Sequence, residues 1–516
     1  MQLASSVAWS IDFKSPQSLP GADLFTNGSV RQLQIQIPPT GIESLRRDPR
    51  EYVHAIITED ATTYKDVAVH LKGNIGSFRE VDDKPDLTLD FNRFGATKKF
   101  HDLRRIYLNN SVEDPSYCNE LLGGELFRAA GVPSPRVAHA VVTLNGRRLG
   151  LFVLKEGFTE DFLGCYFTHI GANLYEPGDG HDVNQRLKRN AVVAPKQDGS
   201  ALQSLADAVK ESNSAKRWQR LEQSLDIDEF VKFMAMEVMV GHRDGYCLAR
   251  NNYRIYEDVD SGKMVFFPHG MDQLFGNPDA TWLPHMSGLV AKAVMETSEG
   301  ILRYRATFSA LFTNVYRVSI IQTRVDQVVA GLRPTLTPAE FAAVQDAANH
   351  QKSQIAQRQT VLATQLSQPE RPLFTFTNGE GKLTDWAKTD VSSGVKMDQF
   401  QTGDHTPVLR IAAHSASGAS WRTKVILRRG KYRFEGNLKV AGVKPLAFGK
   451  YQGAGLRVAG SVRNSTGLIG DSNWCIEGTE FSVSDETQEV ELICELRASA
   501  GEAWFDLKSL KLHQIL

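Results

Sequence analysis

Three short segments hold residues whose types and spacing could do chemistry. The first is Leu71-Lys72-Gly73-Asn74-Ile75-Gly76-Ser77-Phe78-Arg79, with Lys84 shortly after. Glycines and Ser77 directly after a run of strand character make a loop whose backbone amides can approach an anion such as phosphate. Lys72, Arg79 and Lys84 add positive charge. The second is His242-Arg243-Asp244-Gly245-Tyr246, followed by Asn251-Asn252-Tyr253. The third is Phe266-Phe267-Pro268-His269-Gly270-Met271-Asp272-Gln273-Leu274-Phe275-Gly276, where a strand delivers Asp272 to a loop. Phosphoryl transfer needs these parts: cations on the phosphates, carboxylates that hold Mg²⁺, and a base-like carboxylate near the acceptor hydroxyl. Each segment alone has a plainer alternative. The first is then a solvated basic turn, Asp244 caps a turn beside a packed His242, and Asp272 only forms a turn.

The elements that must position these residues follow from periodicity. Residues 32–37 alternate polar and apolar at period two, the pattern of a half-buried strand. Residues 52–57, 67–71, 87–91 and 105–108 read as further strands. Asp114-Pro115-Ser116 opens a helix with Glu120 in its early turns and Leu121, Leu122, Leu126 and Phe127 as its buried stripe. Residues 137–144 and 149–154 flank Asn145-Gly146, which suits the positive φ angles of a hairpin turn. From about residue 200 the pattern becomes helical, with a strongly apolar helix over 228–240. Short strands follow at 253–256 and 264–267, then two or three amphipathic helices over 300–365, separated at Pro334 and restarted at Thr337-Pro-Ala-Glu340. A sheet-rich part followed by a helix-rich part is α+β.

Gln368-Pro-Glu-Arg-Pro372 reads as a linker. Beyond it the helical signal stops, and short strands at 408–412, 424–427, 432–438, 490–494 and 503–507 predict a sandwich or jelly roll. Trp386, Trp421, Trp474 and Trp504 lie in this tail; such rings either fill a sandwich core or stack on sugar rings. Cys475 and Cys494 either pair across the tail or remain buried thiols, and an odd total of five cysteines argues against a disulfide framework. Cys118, Cys165 and Cys247 show no metal-ligand spacing.

With 516 residues, two or three domains are expected. Lys plus Arg is 59 against 60 for Asp plus Glu, a net charge of -1 that leaves no basic footprint for general nucleic-acid binding. No apolar run is long enough for a transmembrane segment. The start, Met-Gln-Leu-Ala-Ser-Ser-Val-Ala-Trp, has no basic region followed by an apolar one. Two placements follow: a cytoplasmic protein, or a mature secreted one whose signal has been removed.

Together and in this order, the segments resemble the CotH (spore-coat protein H) kinase family over roughly residues 32–366. The resemblance is carried by Leu71 through Arg79, Leu108-Asn-Asn with Asp114-Pro-Ser116, Gly131-Val-Pro-Ser-Pro135, Leu144-Asn-Gly146 with Gly150-Leu-Phe-Val-Leu-Lys-Glu156, Asp244-Gly-Tyr246 with Asn252-Tyr-Arg-Ile-Tyr256, and Pro268 through Gly276. His242-Arg243-Asp244 with a downstream Asn is also similar to a protein-kinase catalytic loop, at longer spacing. The resemblance implies an atypical protein-kinase-like bilobed domain followed by an all-β domain. Its antiparallel, sheet-rich first lobe would span residues 1–199, its helical second lobe 200–367, and a carbohydrate-binding-like sandwich 368–516.

It further implies an ATP- and Mg²⁺-dependent enzyme that moves the γ-phosphoryl group to a Ser or Thr hydroxyl of a protein. Asp244 matches the catalytic Asp, and Asn251 or Asn252 the metal-holding Asn of the same loop. Asp272 matches the later of two acids in the family's Pro-Trp-Asp-x-Asp pattern. Lys72, Ser77, Arg79 and Lys84 match the phosphate side, and Glu156 an acid after the hairpin strand. Glu120 or Glu125 would pair a phosphate-binding lysine. One departure stands out: the family's Trp is His269 and its first Asp is Gly270. A degenerate kinase fold that binds proteins or glycans at a surface is therefore the competing expectation. A kinase joined to a sugar-binding module fits an extracytoplasmic bacterial protein better than a cytoplasmic one.

Overall fold

Polar and apolar residues alternate at the start of the first sheet, and the chain buries Leu33 and Ile35 there while Gln32, Gln34 and Gln36 face outward. The computed structural model describes residues 19–26, 28–95, 99–190, 199–368, 372–389, 394–403, 405–446, 452–460 and 467–515. The chain start at 1–9 and residues 369–371 of the expected linker lie outside them. The chain divides into two compact units, Met1–Gln368 and Pro369–Leu516.

The first unit begins with α1 (Ala22–Thr26), β1 (Arg31–Gln36), α2 (Pro39–Arg47), β2 (Val53–Glu59), β3 (Thr62–Lys72), β4 (Asp86–Asp90) and β5 (Arg105–Asn109). α3 (Asn119–Ala129) follows, then the hairpin β6 (Val137–Leu144) and β7 (Arg147–Glu156). Asn145 and Gly146 turn that hairpin with φ of 48° and 81°. The strands run β1-β2-β3-β4-β5-β7-β6, and β6 returns to pair in parallel with β1, closing a barrel. Ile35, Ile57, Val69, Leu87, Leu89, Leu108, Phe152 and Leu154 are among its buried filling. Each such side chain contributes roughly 1.5–3 kcal/mol when fully buried.

The chain continues through α4 (Glu160–Tyr166), β8 (Leu174–Glu176), β9 (Lys188–Arg189), α5 (Ser200–Lys210), α6 (Ser214–Ser224), α7 (Ile227–Met239) and α8 (Tyr246–Ala249). β10 (Tyr253–Glu257) and β11 (Met264–Pro268) complete a four-stranded sheet in the order β11-β10-β8-β9. α9 (Leu289–Met295), α10 (Ser298–Asn314), α11 (Val318–Leu332) and α12 (Pro338–Ser367) follow. Thr337 and Glu340 start α12 with a reciprocal capping box.

The second unit is all β: β12 (Glu380–Lys382), β13 (Ala387–Thr389), β14 (Val395–Gln401), β15 (Pro407–Ala413), β16 (Ser417–Lys444), β17 (Gly453–Val458), β18 (Gly470–Ala498), β19 (Ala500–Asp506) and β20 (Lys511–Ile515). They share one core, in which Trp421 is buried and against which Trp386 packs. Trp474 is 40% exposed, and Lys439 Nζ lies 5.7 Å from the ring centre of Trp504. Cys118, Cys247, Cys475 and Cys494 are free thiols. Cys475 and Cys494 do not pair because both lie on β18, opposite Leu438 and Trp421 at distant points of the β16 ladder.

Candidate active site

α7 begins at Asp226, whose side chain caps Glu229 N, and its apolar residues seat it in the core. A charge interrupts its apolar stretch from Phe233 to Met239. Glu237 is fully buried and accepts hydrogen bonds from Tyr246 N at 3.0 Å and Cys247 N at 2.8 Å. A Cβ at 245 would collide with the Glu237 carboxylate, so glycine is needed for this close approach. His242, also fully buried, faces Glu237 Oε1 at 3.4 Å and donates from Nε2 to Gly270 O at 3.1 Å. Burial opposes the charged imidazole, but Glu237 outweighs it and raises His242 above its ordinary value. The loop carrying Asp244 is thus fastened below to α7 and sideways to residue 270.

Asp244 Oδ2 accepts from both Asn251 Nδ2 at 3.0 Å and Asn252 Nδ2 at 2.7 Å. Gly270 has φ of 52°, and a side chain there would run into Asn252 Oδ1. The amide of Asn252 therefore fills the space beside residue 270. Asp272 is half-buried; burial, then Glu120 and Glu113, push its carboxyl up to about 7, while Lys72 pulls the other way. Asn119 Nδ2 holds its backbone carbonyl at 2.7 Å.

On β7, Lys155 is completely buried and donates from Nζ to Glu120 Oε2 at 2.7 Å. It also contacts His269 Nδ1 at 3.3 Å. Burial lowers Lys155 from its usual value, and Glu120 opposes that. Burial and the nearby Arg254 and Lys155 hold His269 well below its ordinary value, so the ring is neutral and its Nδ1 lone pair is spent on Lys155. Glu120 Oε1 accepts from Met271 N at 3.1 Å, which ties α3 to the Asp272 segment.

A cleft of about 1270 Å³ brings together Lys72, Gly73 to Ser77, Glu120, Asp244, Asn251, Asn252, Gly270 and Asp272. Lys72 reaches Asp86 at 3.8 Å, and Asn74 Nδ2 donates across the cleft to Asp179. Three expected residues do not line it. Arg79 turns back on its own loop, donating to Gly76 O at 2.9 Å and Phe78 O at 2.7 Å. Lys84 donates to Tyr117 Oη at 2.8 Å, and burial lowers it to about 8. Glu156 leaves β7 on the face opposite Lys155 and is held by Arg136, with Nη2 to Oε1 at 2.5 Å. Glu125 pairs with Arg324 at 2.7 Å, so Glu120 is the helix acid that meets a lysine.

Lys155, Glu237 and Arg50 were missed. The signal for the first two is a charge inside an apolar run, Gly150-Leu-Phe-Val-Leu-Lys155 and Phe233-Met-Ala-Met-Glu237-Val-Met. Such a charge must find a partner when buried. Arg50 gives no such signal; it reaches Leu71 O at 2.8 Å and also Gly73 O.

The Asp272 carboxylate and the Asn252 amide both line this cleft, and oxygens of this kind suit Mg²⁺. Among the described residues no three His, Cys, Asp or Glu side chains gather into a ready cage. Mg²⁺ is commonly held by one or two carboxylates together with substrate phosphates, so these residues fit a metal–nucleotide pair.

A family model described as CotH kinase protein matches residues 69–380. The chain is similar to the inner spore coat protein H of Bacillus subtilis (strain 168), 21% identical over 261 residues, covering 47% of this chain and 71% of that one. It is similar to invasin CotH2 of Rhizopus delemar, 25% identical over 190 residues, covering 33% of this chain and 32% of that one. Among solved structures it is similar to the Helicobacter pylori proinflammatory kinase CtkA, at 9% identity and a TM-score of 0.27, covering 58% of this chain and 98% of that one. It is also similar to the CBM22-1 xylan-binding domain from Paenibacillus barcinonensis Xyn10C, at 15% identity and a TM-score of 0.19, covering 27% of this chain and 90% of that one.

Proposed function

The chain belongs to the CotH kinase family, and from that premise we propose that it is an ATP- and Mg²⁺-dependent phosphotransferase acting on Ser or Thr hydroxyls of a protein. The observation that carries this reading is the convergence of Asp244, Asn252, Asp272, Lys72 and Glu120 at one cleft, with the buried Lys155 paired to Glu120 behind its lining. The barrel and the helical assembly are read as two lobes, with nucleotide between them. The amides of residues 73–77 and Lys72 hold phosphate oxygens, and Lys155, oriented by Glu120, supplies a second cation from below. Asp272 and Asn252 would hold Mg²⁺, which when bound would neutralise phosphate charge. Asp244, steered by Asn251 and Asn252, receives or orients the acceptor hydroxyl's proton. The spore-coat and invasin names of its relatives support a surface or extracellular setting. Among the described residues no helix is long and apolar enough to cross a membrane.

Radiolabelled phosphate transfer to a Ser-rich protein, beside nucleotide binding, tests the assignment. Asp244→Asn should lower turnover by about 10²–10⁴-fold and change ATP affinity far less. Equal turnover would remove Asp244 from catalysis.

Gly270 favours a second reading. With no carboxylate at that position and Asn252 filling its space, the chain could bind nucleotide without transferring phosphate. It would then serve as a surface scaffold, with the half-exposed Trp474 of the second unit available to a glycan. ATP binding with no transfer under any divalent metal would select this reading.

A further inference from the structure

α12 carries three polar side chains spaced seven apart, Gln351, Arg358 and Gln365, and each supports the segment leaving β11. Seven residues make nearly two helical turns, so all three share one face. Gln365 Oε1 accepts from Trp282 N at 2.9 Å. Arg358, 1% exposed, donates to Pro278 O at 3.2 Å and to Ala280 O, and also to Val238 O at 2.8 Å at the end of α7. Gln351 acts through one intermediary. Its Nε2 donates to Asn119 Oδ1, and Asn119 Nδ2 donates to Asp272 O at 2.7 Å.

This run is buried, so its donors have one workable direction. Gln351 presents its NH₂ group to the oxygen of Asn119, which obliges Asn119 to turn its own NH₂ group toward Asp272 O. Ser116 Oγ contacts Gln351 Oε1 at 3.4 Å and donates to Asp114 Oδ1 at 2.5 Å. Asp114 Oδ2 also accepts from Asn119 N at 2.8 Å. The next residue, Glu120, holds Met271 N, so the first turn of α3 grips two backbone groups of the 271–272 pair.

We propose that Gln351 is a positioning residue for Asp272, fixing through Asn119 the backbone that carries the metal-binding carboxylate. The inference rests on Asp272 serving Mg²⁺, as proposed above. The test uses the full chain with Gln351→Met, which keeps length and removes both hydrogen bonds. Mg²⁺ is titrated into protein and ATP by calorimetry. The apparent Mg²⁺ affinity should fall about five- to tenfold, the worth of one buried hydrogen bond, while metal-free ATP affinity changes by less than about twofold. In an Asp272→Ala background, Gln351→Met should add no further loss of nucleotide affinity. Equal losses with and without Mg²⁺, or additive losses in the double variant, would overturn the proposal and leave Gln351 a general packing residue.

Backbone hydrogen exchange gives a second readout. Gln351→Met should speed exchange at residues 271–273 and leave 230–238 unchanged; unaltered exchange at 271–273 also overturns it. A wild type without Mg²⁺-dependent nucleotide binding sinks the functional reading instead, and exchange still decides whether Gln351 holds the segment.

Discussion

In β7, successive side chains leave the strand on opposite faces, so Lys155 meets Glu120 while Glu156 meets Arg136. Each substitution breaks a buried ion pair and costs stability, but only Lys155→Met should also change ATP affinity. Glu156→Gln breaks a buried ion pair and should cost about 3–5 kcal/mol in denaturant unfolding, with ATP affinity of the folded protein intact. Lys155→Met should weaken Mg²⁺-supported ATP binding about 10- to 100-fold, the worth of charge-assisted bonds. Loss of ATP affinity in Glu156→Gln, or none in Lys155→Met, would exchange their roles. Asp272 makes a pH prediction at the same scale. Its carboxyl is raised to about 7, so below that pH an incoming Mg²⁺ must displace a proton. The apparent Mg²⁺ affinity should rise by up to about tenfold per pH unit toward neutrality and level off above it. A flat profile from roughly pH 6 to roughly pH 8 would count against Asp272 as the ligand.

At the scale of elements, the expected strands at 32–37, 67–71 and 105–108 and the helix over 228–240 appear with ends shifted by a few residues, because their periodicity is local. β8 and β9 have no such pattern; they are short, β8 taking its place from β10 and β9 from β8. β6 shows what an element's surroundings add. Its His139 donates from Nε2 to Tyr117 O at 2.8 Å, and burial lowers it from 6.5 to about 4. The unfolded chain binds a proton near 6.5 that the fold accepts only near 4. That stability is fully present above the unfolded value and lost as pH falls between the two, by about 3 kcal/mol. His139→Gln should flatten this part of an unfolding-midpoint profile against pH; an unchanged slope would show that other groups set it.

For the whole molecule, the division at 368/369 predicts that residues 1–368 alone fold and bind nucleotide as the full chain does. Calorimetric unfolding of the full chain should then show two transitions, one of which survives in residues 1–368. A soluble 1–368 fragment without nucleotide affinity would mean that the second unit completes the site. Composition, period-two and helical patterns, and turn residues such as Asn145-Gly146 were enough to read sheet, then helix, then sheet, while the segments around Lys72, Asp244 and Asp272 gained a role only together, through their resemblance to the CotH kinase family. Those signals depend on neighbours in the chain and need no fold. Barrel closure by β6 on β1, Glu120 rather than Glu125 as the lysine's partner, the withdrawal of Arg79, Lys84 and Glu156 from the cleft, and the reach of Gln351 to Asp272 all join residues far apart in sequence. Only packing decides such pairings, because a buried charge or amide takes whichever partner the fold brings within hydrogen-bond distance.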